Sequence, residues 1–404
     1  MAYDYTGSLS QKYILFVTTI VVTSIPGANF SKVMIFMDEA EAAANFVVDP
    51  GVDSLTELTY QNWSGLLKAT GGLWGWINGF YANNQTTHIF VVTFNDGGAG
   101  KWSSADLTTQ FGIYDQYAYW KLMYDNMNPA SAQVALATLC GCGIGQTADP
   151  LSQYVYGTSD PTTLTGTAAS PGTQVGWFRN NNPQLDVLIA YHPSTITNAA
   201  LMQIAATLEV PNATGTNVGN KTDWLAIPAN VLTPSGAGGT NLGAVQAANL
   251  QSQGVAFYTF VGDNSGNCAL EAWFTIITKS SPGANWIKNY IDTVASQLVT
   301  TFLTATVISG FLNNDTYQGI LNILQTQINL FVSIGRLGPV PQALAASLGL
   351  PANIAGYVTA PPFNQLPAAS GGAIVIPKAW SAIYNGNVRS VIVYGTLVVV
   401  SGGG

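Results

Sequence analysis

Charge is what this chain has least of. Asp, Glu, Lys and Arg together make up 8% of its 404 residues, against about 25% in an average soluble domain. Asn, Gln, Ser, Thr and Gly fill the surface instead. Such a surface repels copies of itself weakly, which suits a protein mostly covered by neighbours. Twelve basic residues and a net charge of −8 argue against nucleic acid as a partner, because phosphate contacts need clustered Lys and Arg. Polybasic attachment to a membrane is disfavoured on the same ground.

Cysteine and histidine are nearly absent too. Cys140, Cys142 and Cys268 do not make a disulfide framework. Cys140-Gly-Cys142 is too tight for a zinc knuckle and has no second pair, so all three read as small buried thiols. His88 and His192 each sit at the end of an apolar strand and read as structural. No His-x-x-His or His-Glu-x-x-His spacing supports zinc hydrolysis. No Gly-x-Ser-x-Gly elbow and no phosphate-binding Gly-x-x-x-x-Gly-Lys-Ser/Thr loop occurs. Ser281 and Ser333 have no base visible beside them in the sequence.

A leader and a membrane span are also missing from the pattern. The first ten residues are polar and Lys12 stands alone before an apolar run, so no signal peptide is expected. Tyr13–Val22 is too short to cross a bilayer as a helix. Tyr290–Leu312 is longer, but it carries Asp292, Gln297 and several Thr and Ser. It is expected to be a buried helix, with no direct membrane insertion.

Acids for glycoside hydrolysis could be drawn from Asp38, Glu39, Glu41, Asp263 and Glu271, yet twenty acids supply such a pair by chance. The first three read as a solvated turn. Asp96-Gly-Gly and Asp263-Asn-Ser-Gly-Asn267 look like fragments of calcium loops, but lack the twelve-residue spacing and closing Glu, and read as turns. Trp74 and Trp76 read as packing rather than sugar platforms. The sequence therefore assigns no catalytic residue, no cofactor and no metal ligand.

Apolar strands are what the chain does have. Hydrophobic residues reach 48%, enough for a large core. Strand-like runs at 33–37, 88–94, 154–156 and 186–192 alternate with helical stretches, which predicts an α/β layer structure with a mixed sheet. A helix over 62–81 carries a break at Gly71-Gly72. A helix at 244–253 precedes a hairpin of 255–261 with 269–278. Long helices are expected at 285–312 and 317–334, with Asn313-Asn314-Asp315 as turn and N-cap. Residues 211–241 read as loops and 338–372 as an irregular, Pro-rich connector.

The two ends stand out. Val388–Val400 is one β-branched strand with nothing after it but Ser401 and three glycines. Tyr13–Val22 matches it at the other end. Each needs a sheet edge, either in its own core or in another copy. The expected organisation is an N-terminal arm strand over 1–30 and an α/β body over 31–210. A second core part with a hairpin and two long helices covers 211–380, and a C-terminal arm strand 381–404. Tyr13, Leu15, Val17, Thr19 and Val21 are the candidate N-arm contacts between subunits. Val391, Val393, Thr396, Leu397 and Val399 are those of the C-arm.

Several stretches resemble contractile tail sheath proteins of myophages, in order along most of the chain. At the N-terminus they are Ser8-Leu-Ser-Gln, the apolar strand, Pro26-Gly-Ala-Asn-Phe30 and Val33-Met-Ile-Phe-Met-Asp38. Ala118-Tyr-Trp-Lys-Leu-Met123, Tyr154-Val-Tyr-Gly-Thr-Ser-Asp160 and Val187-Leu-Ile-Ala-Tyr-His-Pro193 follow. Lys221-Thr-Asp-Trp-Leu-Ala226, Ala248-Asn-Leu-Gln-Ser-Gln-Gly-Val-Ala-Phe-Tyr258 and Asn387-Val-Arg-Ser-Val-Ile-Val-Tyr-Gly-Thr-Leu397 complete the set. Family members often carry inserted outer domains after the strand matching 88–94, where this chain has only the 95–104 loop.

The resemblance implies a non-enzymatic sheath subunit of the virion, assembled in the host cytoplasm. It implies stacked hexameric rings whose arms complete neighbours' sheets, around a tail tube and between baseplate and tail terminator proteins. Contraction would drive the tube through the host envelope. Lys279, Lys288 and Arg336 are candidates to face an acidic tube. A tube or decoration protein is the first alternative, and a two-layer α/β body favours sheath over a mostly β tube. A polysaccharide-acting enzyme and a membrane protein built on 290–312 are the others.

Overall fold

The computed structural model describes residues 14–17, 29–83, 87–95, 104–124, 131–140, 152–181, 187–193, 226–228, 240–260, 267–271, 314–338, 356–358, 362–366, 374–377 and 380–384. It also describes single positions between 286 and 302 and a few isolated ones such as Ser235. The strands are β1 (Ile14–Val17), β2 (Val33–Asp38), β3 (Leu55–Leu58), β4 (Ile89–Phe94), β5 (Trp120–Met123), β6 (Gln153–Thr158) and β7 (Leu188–Tyr191). After these come β8 (Ala226–Pro228), β9 (Val255–Phe260), β10 (Asn267–Glu271), β11 (Leu337–Gly338), β12 (Gly356–Val358), β13 (Ile374–Pro377) and β14 (Trp380–Tyr384).

Nine of them form one mixed sheet in the order β3-β4-β2-β5-β6-β7-β9-β10-β8. The six from β4 to β9 are mutually parallel, while β3 on one side and β10 on the other run antiparallel to them, and β8, antiparallel to β10, returns to their direction. Parallel strands bury both faces, so their sequences carry apolar residues on both sides. In β2, Met34 and Phe36 enter one core while Val33, Ile35 and Met37 enter the other. β4 divides the same way, with Phe90, Val92 and Phe94 opposed to Ile89 and Val91.

Helices cover each face, so the body has three layers rather than the two expected. The helices Ser104–Tyr114, Ser131–Leu139, Thr173–Asn181 and Ala244–Gln253 pack Leu107, Phe111, Leu136, Val175, Phe178 and Leu250 on one side. On the other lie the helix Gly72–Asn83, helical residues between 286 and 302, and the helix Asn314–Ser333. Trp286, Ile287, Tyr290, Ile291, Ala295 and Val299 recur at helical spacing and are all buried there. The apolar 290–312 stretch thus packs on the sheet where it is described. Among the described residues no helix is long and apolar enough to cross a membrane.

The last long helix shows why its sequence folds so. Tyr317, Ile320, Leu324, Ile328 and Phe331 fall three or four apart and are buried, the spacing of one helical face. Gly335 stops it at φ +74°, with Gly335 N–H on Val332 O at 3.0 Å and Arg336 N–H on Phe331 O at 2.9 Å. That is a Schellman C-cap, whose left-handed residue favours glycine. The expected 62–81 helix is two, Trp63–Leu66 and Gly72–Asn83. The break falls at the paired glycines because a Cβ on Gly71 would lie 2.6 Å from Asn45 Oδ1 and one on Gly72 2.5 Å from the Tyr124 hydroxyl.

Two small sheets complete the fold. β14 lies between β11 and β12, antiparallel to both. It falls at the start of the expected 381–404 arm but pairs within the chain's own body. β1 pairs in parallel with β13, Ile14 opposite Ile374 through Val17 opposite Pro377. Strands from both sides of residue 210 share the nine-stranded sheet, so the two expected body parts are continuous there.

One lysine among the described residues is completely enclosed by this fold. Lys121, in β5, is fully buried. Its Nζ donates to Asp115 O at 2.6 Å and also to Ala118 O, and lies 5.7 Å from the Phe111 ring centre. Desolvation pushes its pKa down to about 8, against the opposing pull of Cys140 and Asp115. The folded chain then holds this proton less tightly than the unfolded chain, whose lysine keeps its ordinary value. Between the two values the unfolded state binds more protons, so stability rises with pH there. Relative to a Lys121→Met variant, the wild-type chain should gain stability from about pH 8 to about pH 10, with a slope approaching ~1.4 kcal/mol per pH unit. Phenols that burial pushes up, Tyr81 and Tyr290 among them, titrate in both chains and cancel in the difference. Urea midpoints across that range check it, and a difference that does not change with pH overturns it.

Candidate functional site

An open parallel sheet places ligands outside the carboxyl ends of its strands where the strand order reverses. Here that point lies between β2 and β5. The chain leaves β2 toward β4 on one side and returns to β5 on the other. The groups that meet there are Asp38, the following helix Glu39–Asn45, Tyr124 after β5, and the start of the helix Gly72–Asn83.

These groups fill the crevice with the chain's own side chains. Asn45 is 3% exposed. Its Nδ2 donates to Glu41 O at 2.8 Å, while its Oδ1 accepts from Leu73 N–H at 2.9 Å and from the Tyr124 hydroxyl at 3.3 Å. The Tyr124 ring lies 4.9 Å from that of Trp76, and burial pushes its phenol up. Asp38 Oδ1 accepts from Glu41 N–H at 2.7 Å and caps the helix. The place where a doubly wound enzyme holds its substrate is thus packed and hydrogen-bonded here.

The other chemical candidates are dispersed. Asp38, Glu39 and Glu41 open a helix, with the two glutamates at its positive end. Asp263 lies outside the described residues, as does the Glu271 side chain. His88 Nδ1 lies 2.5 Å from Glu57 Oε1 on the half-exposed surface. His192 is buried, with its ring 6.2 Å from Tyr258. Cys140 is a buried thiol, as expected. Cys142 and the Cys268 side chain are outside the described residues. Trp74 packs on Trp63 at 4.6 Å, so it and Trp76 serve packing. Among the described residues no three His, Cys, Asp or Glu converge to hold a metal ion.

Strand edges are the remaining candidates, and the large sheet closes its own. At β3, the outward-facing Glu57 O accepts from Asn62 Nδ2 at 3.1 Å. At the far edge β8 is three residues long and ends on Pro228, which has no N–H to offer. Short edges, prolines and side-chain caps all oppose strand addition. In the β11-β14-β12 sheet, the Val358 N–H of the edge strand β12 donates to Gln325 Oε1 at 3.0 Å.

The expected arm residues fall as follows. Leu15 and Val17 lie in β1, opposite Val375 and Pro377 of the same chain. Tyr13, Thr19 and Val21 are outside the described residues, as are Val391, Val393, Thr396, Leu397 and Val399. Lys279 and Lys288 are also outside them. Arg336 is 8% exposed in the single chain and has little surface to offer a partner. Sequence reasoning missed Asn45 and Tyr124, because a buried Asn in a helix and a Tyr after a strand carry no signal without the topology.

The packed crevice makes a stability prediction. Asn45→Ala leaves the Leu73 N–H without its acceptor in a buried place. It should cost about 1–3 kcal/mol in urea unfolding, more than the ~0.5–1.5 kcal/mol expected for Tyr124→Phe. Equal, negligible losses would mean that the crevice is open to water.

Neither a known protein family nor a curated protein matches the sequence, but solved structures share the fold. One is a chain of the baseplate of the anti-feeding prophage, solved with six-fold symmetry. The match has a TM-score of 0.54 at 11% identity and covers 94% of this chain and 98% of that one. Another is a chain of the sheath complex of an extracellular contractile injection system, PVC, in its contracted state. There the TM-score is 0.57 at 12% identity, over 99% of both chains. Over nearly its whole length, this chain has the fold of contractile injection system components.

Proposed function

We propose that this protein is a structural, non-enzymatic subunit of a contractile injection machine, and specifically its sheath. The observation that carries the reading is the β1–β13 pair. Two strands of four residues are too few to stand alone in water. With the large sheet's edges capped, this small sheet is the acceptor for strands from neighbouring copies. Nearly full-length likeness of fold to a contracted-state sheath chain supports the same reading.

Pairing by strand addition suits the chain's composition. Backbone hydrogen bonds contribute roughly 0.5–1.5 kcal/mol each, net, and need no charged side chains. The C-arm residues Val391, Val393, Thr396, Leu397 and Val399 fit a strand that adds to a neighbour's small sheet. Of the N-arm residues, Leu15 and Val17 lie in the register that β1 takes on β13, a pairing available by exchange between copies as in domain swapping. Stacked rings tied in this way stay linked while the bodies move. Rotation of the bodies into a wider, shorter lattice then drives an inner tube through an envelope without a nucleotide. Self-contacts, the tube, and the baseplate and terminator proteins are the partners in this reading, and the virion tail is its location. A basic face at Lys279 and Lys288 would meet the tube.

Purified full-length protein should form wide, cross-striated cylinders in electron micrographs. Removing residues 388–404 should leave a soluble monomer with an unchanged unfolding temperature. Narrow smooth cylinders from the full chain would instead mark a tube protein. Normal cylinders from the shortened chain would rule out the C-terminal strand as the link.

A further inference from the structure

Large apolar side chains are exposed at seven described positions, and three of the seven, Val47, Val48 and Val52, fall within one short loop. Val48 is 78% exposed and Val47 56%. The loop leaves the core at the buried Phe46 and rejoins the sheet at β3. A fourth, Ile113, stands on the helix Ser104–Tyr114, which bonds to the same loop through Gln110 Nε2 on Asp53 Oδ1 at 2.8 Å. Single exposed valines need no explanation, but a cluster of them on one loop marks a contact surface.

The backbone under these valines is pinned along its length. Val47 N–H donates to Leu66 O at 2.9 Å. Gly51 N–H donates to Asp49 Oδ1 at 2.9 Å, and Gly51 O accepts from the Thr93 hydroxyl of β4 at 2.6 Å. Ser54 N–H donates to Thr93 Oγ1 at 3.0 Å. Gly51 and Asp53 both take the left-handed backbone, at φ +75° and +56°, which is uncommon for a residue other than glycine. A loop already fixed with its apolar side chains outward loses little freedom when a partner covers them.

Charge narrows the choice of partner. Asp49 and Asp53, on either side of Val52, are exposed, whereas no Lys or Arg among the described residues is. Those cations turn inward. Lys32 Nζ lies 5.4 Å from the Phe90 ring centre, Lys68 Nζ donates to Ala43 O at 2.6 Å, and Arg179 donates to Ala168 O at 3.4 Å. Lys121 and Arg336 are buried. The described surface of a second copy thus offers an acidic, apolar loop no counter-charge.

We propose that the Val47–Asp53 loop is a docking knob for a different polypeptide, one that presents an apolar pocket with Lys or Arg at its rim. The three valines fill the pocket and the two aspartates meet the rim, so burial supplies the hold and charge the selection of partner. The contact uses no strand edge and is independent of whether the chain is a sheath subunit.

The test replaces Val48 with photoreactive p-benzoylphenylalanine in the full-length chain, irradiates the cells in which the protein is naturally made, and sequences the cross-linked peptides. Peptides of one other protein should be recovered, with Lys or Arg beside the cross-linked apolar residue. Their yield should fall about tenfold in an Asp49→Asn, Asp53→Asn double variant. Rising salt should weaken the cross-link in the parent chain and leave that of the double variant unmoved. Asn keeps an acceptor at both positions and tolerates the left-handed backbone at 53, so the unfolding temperature of the double variant should not fall. Cross-links only to this chain's own peptides overturn the proposal, because a second copy then covers the loop. The absence of any cross-link overturns it too, as does another protein recovered in a yield that neither salt nor the double variant changes.

Discussion

Burial of the parallel sheet on both faces is the constraint from which the rest follows. A parallel strand receives its neighbours only through crossovers, and those crossovers lay helices over the sheet. Every residue of β2 from Val33 to Met37 is therefore enclosed, and the two cores meet at a single layer of backbone. Little room is left for charge. Lys121 is tolerated at that layer because two carbonyls of the preceding turn take its ammonium protons, so this buried cation serves to tie the entry of β5 to the helix before it.

The same constraint decides where function can sit. In an enzyme of this topology the reversal of strand order opens a crevice. Here Asn45 bonds the backbone of two helices across it and the Tyr124 ring packs at a tilt against Trp76 behind it. With the crevice closed, what a strand-rich body can still offer is its edges. The large sheet blunts both of its own, by Asn62 at β3 and by Pro228 at β8. A chain with few charges cannot rely on repulsion to keep such edges apart, so capping them directs pairing elsewhere.

Much of the body was legible in the sequence, for a physical reason. β2, β4, β6, β7 and β9 are continuous apolar runs because both of their faces are buried, and each was read as a strand. The Ala244–Gln253 helix, ended by Gly254 in the left-handed region, was read with its observed bounds. β5 was blurred, because Lys121 interrupts its apolar run and a buried lysine looks like a surface residue until its carbonyl partners are known. β8 and β12 were hidden in stretches rich in Pro, Gly and small residues. Short edge strands gain their stability from what they pair with rather than from their own side chains. The third layer was not legible, since nothing local tells a helix which face of the sheet it covers.

The small β1–β13 sheet then carries a weight out of proportion to its size. Fixing eight residues in extended form opposes pairing by about 1–2 kcal/mol per residue, and a ladder of four residue pairs returns roughly 0.5–1.5 kcal/mol per hydrogen bond. Taken alone the balance is unfavourable. Each strand added beside it brings a further ladder without reordering the two already in place. Under the proposed reading, a sheet poised in this way would be weak in one copy and strong among many, which is the behaviour required of a link that must wait for its neighbours before it holds.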